Sequence, residues 1–451
     1  MSPSQCLFVS RFAIATLLLL SGIAIAFGQK TPKVILPGSA PFTESFQDMI
    51  QRDQQRQNIP GAAPEIREAP SEEINGIERT IPRGNEFQAL ARAMPIVAAP
   101  QTIGTSFQAI NLTDEFNIFS NGFIPPDTMG AIGPNHFIEI IQGAVAIYTK
   151  AGAPVGFVVT MNDFFTVGTH PSGGSADPHV FFDRRSGRFF ATAIELNNGT
   201  NQNGIILAVS RTSDPTGLWD KYFVDVRHPS AFNDYPTLGT DDNGVYFGTT
   251  TFPGGAAEIA ATPKASLIAA SPSLSTVTQF TGITDMYSSP QPALNFDSTS
   301  GSGPQFFVSS STTVFGNINY RSLTWSGGVP SLSATSVLTT AAYGDIPHGA
   351  PASGSTTNIN AGDDRLLMCV LRAGKLWTAR GVFVNSGGGA SSADRDGCEW
   401  FELGISGTSR RVKDAALNGP LFFRWLQGHA PLDRSFAEDI FEKVIRAFEP
   451  R

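Results

Sequence analysis

From about Ser106 to residue 405, apolar and polar residues alternate in short runs separated by Gly-, Asn- and Asp-rich turns. His179-Val180-Phe181-Phe182 leads into the polar turn Asp183-Arg184-Arg185-Ser186-Gly187, and Arg188 to Leu196 returns. Asn197 to Gly204 makes a second turn, Ile205 to Arg211 a third strand, Asp214 to Gly217 a third turn, and Leu218 to Val226 an outermost strand. Alternation with period two and turn residues at these offsets predict consecutive antiparallel hairpins. Pro236 to Gly239, Asp241-Asp242-Asn243-Gly244 and Val245 to Phe252 begin another copy, with Asn-Gly where a tight turn needs positive φ.

The copies share a marker in which an acidic or amide residue stands beside Pro or a second Asp, ahead of a strand, a polar turn and another strand. They read PPDTMGAIG from Pro125, ADPHVFFD from Ala176, NDYPTLGTD from Asn233, SPQPALNFD from Ser289 and, more loosely, GDDRLLMCV from Gly362. Spacings of roughly 50 to 70 residues suit one four-stranded sheet per marker. The expected fold is therefore all-β, a β-propeller of about five or six four-stranded blades over 106–405.

The flanks do not follow this pattern. Arg11 and the apolar run Phe12 to Ile25, with Ala24-Ile25-Ala26 at its end, predict a signal peptide over 1–26 and a secreted, periplasmic or cell-envelope protein. No later apolar run is long enough for a membrane span. Residues 27–105 turn to Pro, Gln, Glu and Arg and predict a disordered linker with short helices near Phe46 to Arg56 and Glu86 to Ala93. In the tail, 406–451, Ser435-Phe436-Ala437-Glu438 is a capping box opening an amphipathic helix whose apolar face carries Phe436, Ile440, Phe441, Val444, Ile445 and Phe448.

Composition narrows the partners. The 451 residues include 45 Gly and 34 Phe with only 16% charged residues, as in a loop-rich folded β protein. Net charge is −8 with Lys and Arg scattered, which argues against nucleic acid or an anionic membrane and leaves carbohydrate or another envelope protein. Once Cys6 leaves with the signal peptide, Cys369 and Cys398 remain, either as a disulfide or as two thiols.

Ser213-Asp214-Pro215-Thr216-Gly217-Leu218-Trp219 resembles the Asp-box hairpin of sialidase-like propellers, at a spacing unusual for that family, and the outer-blade turn of five-bladed glycosidases. That resemblance implies a structural turn, with Asp214 holding backbone amides and Trp219 packing between blades. The stretches PPDTMGAIGPNHFIEIIQG, DPHVFFDRRSGRFFATA, FNDYPTLG and GDDRLLMCVLRAGKLWTA look like a group of secreted bacterial β-propeller proteins without an assigned activity. This second resemblance implies export and a propeller and transfers no catalytic residue.

In a propeller, residues at equivalent starts of the innermost strands converge on one mouth of the axis. Asp127, Asp177, Asp234 and Asp363 or Asp364 are then the candidate ligand-binding acids, suited to a hard cation such as Ca²⁺ or to a sugar. The first reading is a binding module with an acidic mouth. A five-bladed glycoside hydrolase would use Asp177 and Asp234 as base and positioning carboxylate and Glu195 as acid. A non-catalytic envelope scaffold is the third reading. Against all site readings stands ordinary turn chemistry, in which each Asp caps its own turn. The six His residues are dispersed and lack zinc-helix spacing.

Overall fold

The computed structural model describes residues 33–57, 65–68, 79–81 and 104–416, apart from 197–202, 227–230, 298–302, most of 350–359, 387 and 405–411. The expected signal peptide and the C-terminal helix lie outside these residues. Among the described residues no helix is long and apolar enough to cross a membrane.

The chain folds as a β-propeller whose described residues form five blades. Blade one is Met129–Ile132, His136–Ile141, Ala144–Thr149 and Val159–Thr160; blade two is Ser175–Asp183, Arg188–Glu195, Ile205–Ser210 and Leu218–Val224. Blade three is Phe232–Thr240, Gly244–Phe252, Ala257–Pro263 and Val277–Ile283. In blade four Met286–Pro292 continues as Leu294–Asn295 and is followed by Gln305–Ser311, Asn317–Ser326, Val329–Leu332 and Ser336–Thr339. Cys369–Arg372, Lys375–Val384, Arg395–Gly404 and Val412–Ala416 make blade five. Within each blade, strands consecutive in sequence pair antiparallel, except that in blade four both Val329–Leu332 and Ser336–Thr339 pair with Asn317–Ser326. Between blades, Thr240 pairs parallel with Leu294 and Leu294 with Val370, so the innermost strands of blades three, four and five run side by side in one direction.

Period-two alternation holds the blades together. Along Arg188–Glu195, Phe189, Ala191 and Ala193 face the blade one side with Ile138, Ile140 and Val145, while Phe190 and Ile194 face the blade three side with Val245 and Phe247. Each fully buried Phe contributes roughly 1.5–3 kcal/mol through area removed from water. Trp219 is fully buried among Phe164 and Phe189, and its Nε1 donates to the Pro215 carbonyl at 2.7 Å. Asp214 Oδ1 accepts from the Thr216 amide at 2.9 Å, so the turn's Asp is structural and its Trp fills the blade one–two interface.

Part of the stretch expected to be a linker is built into the rim. Lys33–Leu36 adds to the outer edge of blade three and Phe42–Ser45 to that of blade two, covering edges that would otherwise present unpaired backbone groups. The helix Phe46–Gln57 buries Phe46, Met49 and Ile50 against the blade one–two core. Its polar residues have partners: Arg52 binds Asp163 at 2.8 Å and Glu44, and Glu44 also takes buried Lys221.

The disulfide alternative is excluded. Cys369 and Cys398 are free thiols, placed on strands that both pair with Lys375–Val384 and so lie on opposite sides of it. Two strand spacings are about 10 Å, beyond the Cα separation a disulfide spans. Thiol titration should find Cys398, reached by solvent but with its thiol pushed up to about 11 by desolvation and the charge of Asp396, reacting slowly in the native protein, and buried Cys369 reacting only after unfolding. A native protein with no titratable thiol would contradict this placement.

Candidate functional site

The markers of blades two, three and four are β-bulges. Pairing registers slip between Thr192 and Ile194 opposite Asp177, between Asp234 and Thr237, and between Tyr287 and Gln291. At each slip one non-glycine residue takes positive φ: Asp177 at 50°, Tyr235 at 48° and Ser288 at 53°, with Asp127 at 40° ahead of blade one's first strand. For Asp this conformation is tolerated, but for a ring as bulky as Tyr it is a true outlier. Such positions cost on the order of 1–3 kcal/mol and persist where surrounding structure over-determines them, as at sites that re-aim side chains.

The bulges turn the markers toward one another. Asp127 and Asp177 share a hydrogen bond between their carboxyl groups, with the charges of Asp234 and Arg365 acting on Asp127 as well. Tyr235's backbone amide donates to Asp177, and the Tyr235 ring carries the Arg365 guanidinium 4.6 Å from its centroid. Asp363 grips that guanidinium from Nε at 2.9 Å and from Nη2 at 2.8 Å. Groups from blades one, two, three and five thus meet at one place. Asp127, Asp177, Asp234, Asp363 and Arg365 are half-buried, enclosed by protein yet reached by solvent.

Electrostatics set this cluster apart from turn-capping aspartates. Desolvation, and then the charge of Asp127, hold the Asp177 carboxyl well above the ordinary carboxylate range, and desolvation raises Asp127 as well. Two carboxyls in contact cannot both ionise cheaply, so the pair shares a proton. Arg365 goes further up in pKa because its carboxylate neighbours outweigh its own desolvation.

Two expected site residues point elsewhere. Glu195 is buried and its Oε1 accepts from the Ser172 amide at 2.7 Å and lies 2.7 Å from His170 Nδ1, so it fastens the loop before blade two. Asp364 is fully buried and takes Arg79 and the Tyr343 hydroxyl, away from the solvent-reached cluster. Calcium gains no cage either: among the described residues no group of three or more His, Cys, Asp or Glu is arranged to hold a metal ion. The cation among these acids is Arg365.

Four participants are not among the expected site residues. Arg365 and Tyr235 are the platform, and Gln142, buried at the end of a hairpin, spans blades one and two. Its Oε1 accepts from the Asp177 amide at 3.1 Å while its Nε2 donates to the Ser175 carbonyl at 3.2 Å. His179, two residues beyond Asp177, sits edge-on to Tyr235 with ring centroids 5.5 Å apart. The available hint is that His179, Tyr235 and Arg365 each lie in a repeat marker with a candidate acid.

No family model matches the chain, and no curated protein matches it. Among solved structures it is similar to an exo-β-1,3-galactanase from Phanerochaete chrysosporium at 13% identity and TM-score 0.33, over 65% of this chain and 64% of that one. An α-L-arabinanase from Cellvibrio cellulosa, complexed with arabinohexaose, is similar at 10% identity and TM-score 0.30, over 64% of this chain and 94% of that one. For a GH43 endo-arabinanase from Bacillus licheniformis the values are 11% and 0.26, over 62% and 94%. Likeness at this level carries no residue role across.

Proposed function

We propose that the chain is a carbohydrate-active propeller whose axial mouth cleaves a glycosidic bond. The observation that supports this reading most is the Asp127–Asp177 pair, in which one carboxyl keeps its proton toward neutral pH. Protonating a leaving-group oxygen needs such a group. Asp177 is the proton donor, Asp127 fixes that proton by its hydrogen bond, and Asp234 is the separate carboxylate that activates water or stabilises the sugar cation. Asp127 is not the second member of the acid–base set, because glycoside hydrolysis needs carboxyls about 5 to 10 Å apart and these two touch. In the reaction the donor's proton goes to the leaving oxygen, the glycosidic C–O bond breaks, and water supplies the new hydroxyl. Export through residues 1–26 would bring the mouth to polymeric glycans outside the cytoplasm.

A binding module without turnover is the second reading. It is favoured by the Arg365 guanidinium, which Asp363 and Tyr235 hold in a fixed plane as a docking surface for a polyol. Assays of reducing-end release from galactans, arabinans and aryl glycosides across pH separate the two. Hydrolysis that declines above about pH 7 is the expected outcome. Sugar binding measured by calorimetry without any released ends would leave the module, and neither signal would remove both readings.

A further inference from the structure

Just below the carboxylates a second set of polar side chains is built into the same strands. His179, Thr237 and Gln291 are the first paired residues after the bulges of blades two, three and four, paired with Thr192, Gly248 and Val308. Thr237 is satisfied, donating to the Pro290 carbonyl at 2.6 Å. The other two are not. His179 is 6% exposed, with the Asp177 backbone carbonyl beside its ring and neither ring nitrogen in a well-formed hydrogen bond; Gln291 is 3% exposed and its Nε2 has no partner.

A buried polar atom left without a partner costs about 1–3 kcal/mol, and native structures hold few of them. An apolar side chain of similar shape at 179 would remove that penalty. Burial also drives His179's pKa down to about 4, leaving an uncharged ring at neutral pH. Such a ring can turn its N–H to the Asp177 carbonyl and keep its second nitrogen as an acceptor for a hydroxyl's proton. Tyr235, against which the imidazole packs edge-on, carries Arg365 on its ring and donates its amide to Asp177, so the imidazole adjoins the carboxylate cluster.

We propose that His179 is a specificity-determining residue of the mouth, hydrogen-bonding a hydroxyl of a neutral sugar bound over Asp127 and Asp177. The inference rests on the carbohydrate reading and goes beyond it by naming which group reads the sugar's hydroxyl pattern. A site built to bond a hydroxyl rejects the analogue lacking it, because its own polar group then stays unpaired.

The test uses the full-length protein and galactose- and arabinose-based oligosaccharides as probes. Dissociation constants, steady-state kinetics and melting temperatures are measured for wild type, His179→Phe and His179→Asn. The expected result is at least a tenfold loss of affinity in His179→Phe at an unchanged or higher melting temperature, with partial recovery in His179→Asn. In turnover His179→Phe raises KM with kcat within a few-fold, a split that a purely structural role does not produce. Wild-type binding that survives unchanged in a folded His179→Phe overturns the role of His179 and leaves the carboxylate reading standing. Should the Phe variant fail to fold, wild-type affinity in His179→Asn and in His179→Leu overturns it equally. A wild type that binds none of the probes overturns the carbohydrate reading, and the inference with it.

Discussion

Asp177→Asn lowers glycoside turnover by about 10²- to 10⁴-fold, the range that a positioned general acid contributes, and it also removes a pH dependence of stability. Asn accepts the left-handed backbone that Asp177 adopts at φ 50° and can still donate to Asp127, so the fold is kept. The sign of the stability effect follows from proton binding. In the native state Asp177 is raised from 3.8 to about 7, so between those values the folded protein holds a proton that the unfolded chain has lost. Its contribution is fully present below pH 3.8, declines as pH rises, and is gone above about pH 7. Every tenfold difference in proton affinity between the folded and unfolded chain corresponds to about 1.4 kcal/mol. Wild-type melting temperature should fall through this window while that of Asp177→Asn falls less. At pH 8 the variant should be at least as stable as wild type. Parallel curves for the two proteins would show that Asp177 keeps no proton in the native state, and the proposed donor would be lost with it.

The sequence discloses the ring and its acids because the marker recurs from blade to blade, and Asp beside Pro suits the residue that must enter a strand from positive φ. It misplaces the equivalence in blade three. Counting acids aligns Asp234 with Asp177, whereas the backbone aligns Tyr235 with it, one position on, and Asp234 becomes the residue before the bulge. Arg365 lies in a marker, but its part in the site depends on blade five facing Tyr235 of blade three. Glu195 reads as an acid from its strand position, but the groups that occupy it, His170 and Ser172, lie on a loop 23 to 25 residues away. At the N-terminus the polar run from Gln51 to Arg56 looks unable to fold, since the partners of Arg52 are Glu44 and distant Asp163. Amphipathic spacing is present in Phe46, Met49 and Ile50, but the surface they cover is supplied by another part of the chain.

Arg79→Ala should destabilise the propeller by about 3–5 kcal/mol, the cost of removing one partner from a buried ion pair. Arg79 reaches blades four and five from the stretch expected to be a linker, and its side chain is only 2% exposed. Its guanidinium lies 3.5 Å from the Tyr287 ring centroid and 5.1 Å from that of Phe315, and it pairs with fully buried Asp364. Thr80 fastens the segment, its amide donating to the Thr313 carbonyl at 2.8 Å and its carbonyl accepting from Phe315 at 3.1 Å. With Ala at 79, Asp364 retains the Tyr343 hydroxyl and the more distant charge of Arg380 but loses the guanidinium that pairs with it directly. Arg79→Lys keeps the charge without the flat face that stacks on Tyr287 and should fall between the two. The double variant Arg79→Met, Asp364→Asn should recover much of the loss, because no charge is then left buried alone. Denaturant unfolding of the four proteins measures this, and an Arg79→Ala curve superimposed on wild type would show that the segment does not dock. The effect also reaches the mouth. Asp364 is covalently next to Arg365 and Asp363, and Ser310 Oγ holds its carbonyl, so loosening its carboxylate frees the backbone that aims Arg365 at Tyr235. Weakened sugar affinity should therefore accompany the loss of stability in Arg79→Ala and recover together with it in the double variant.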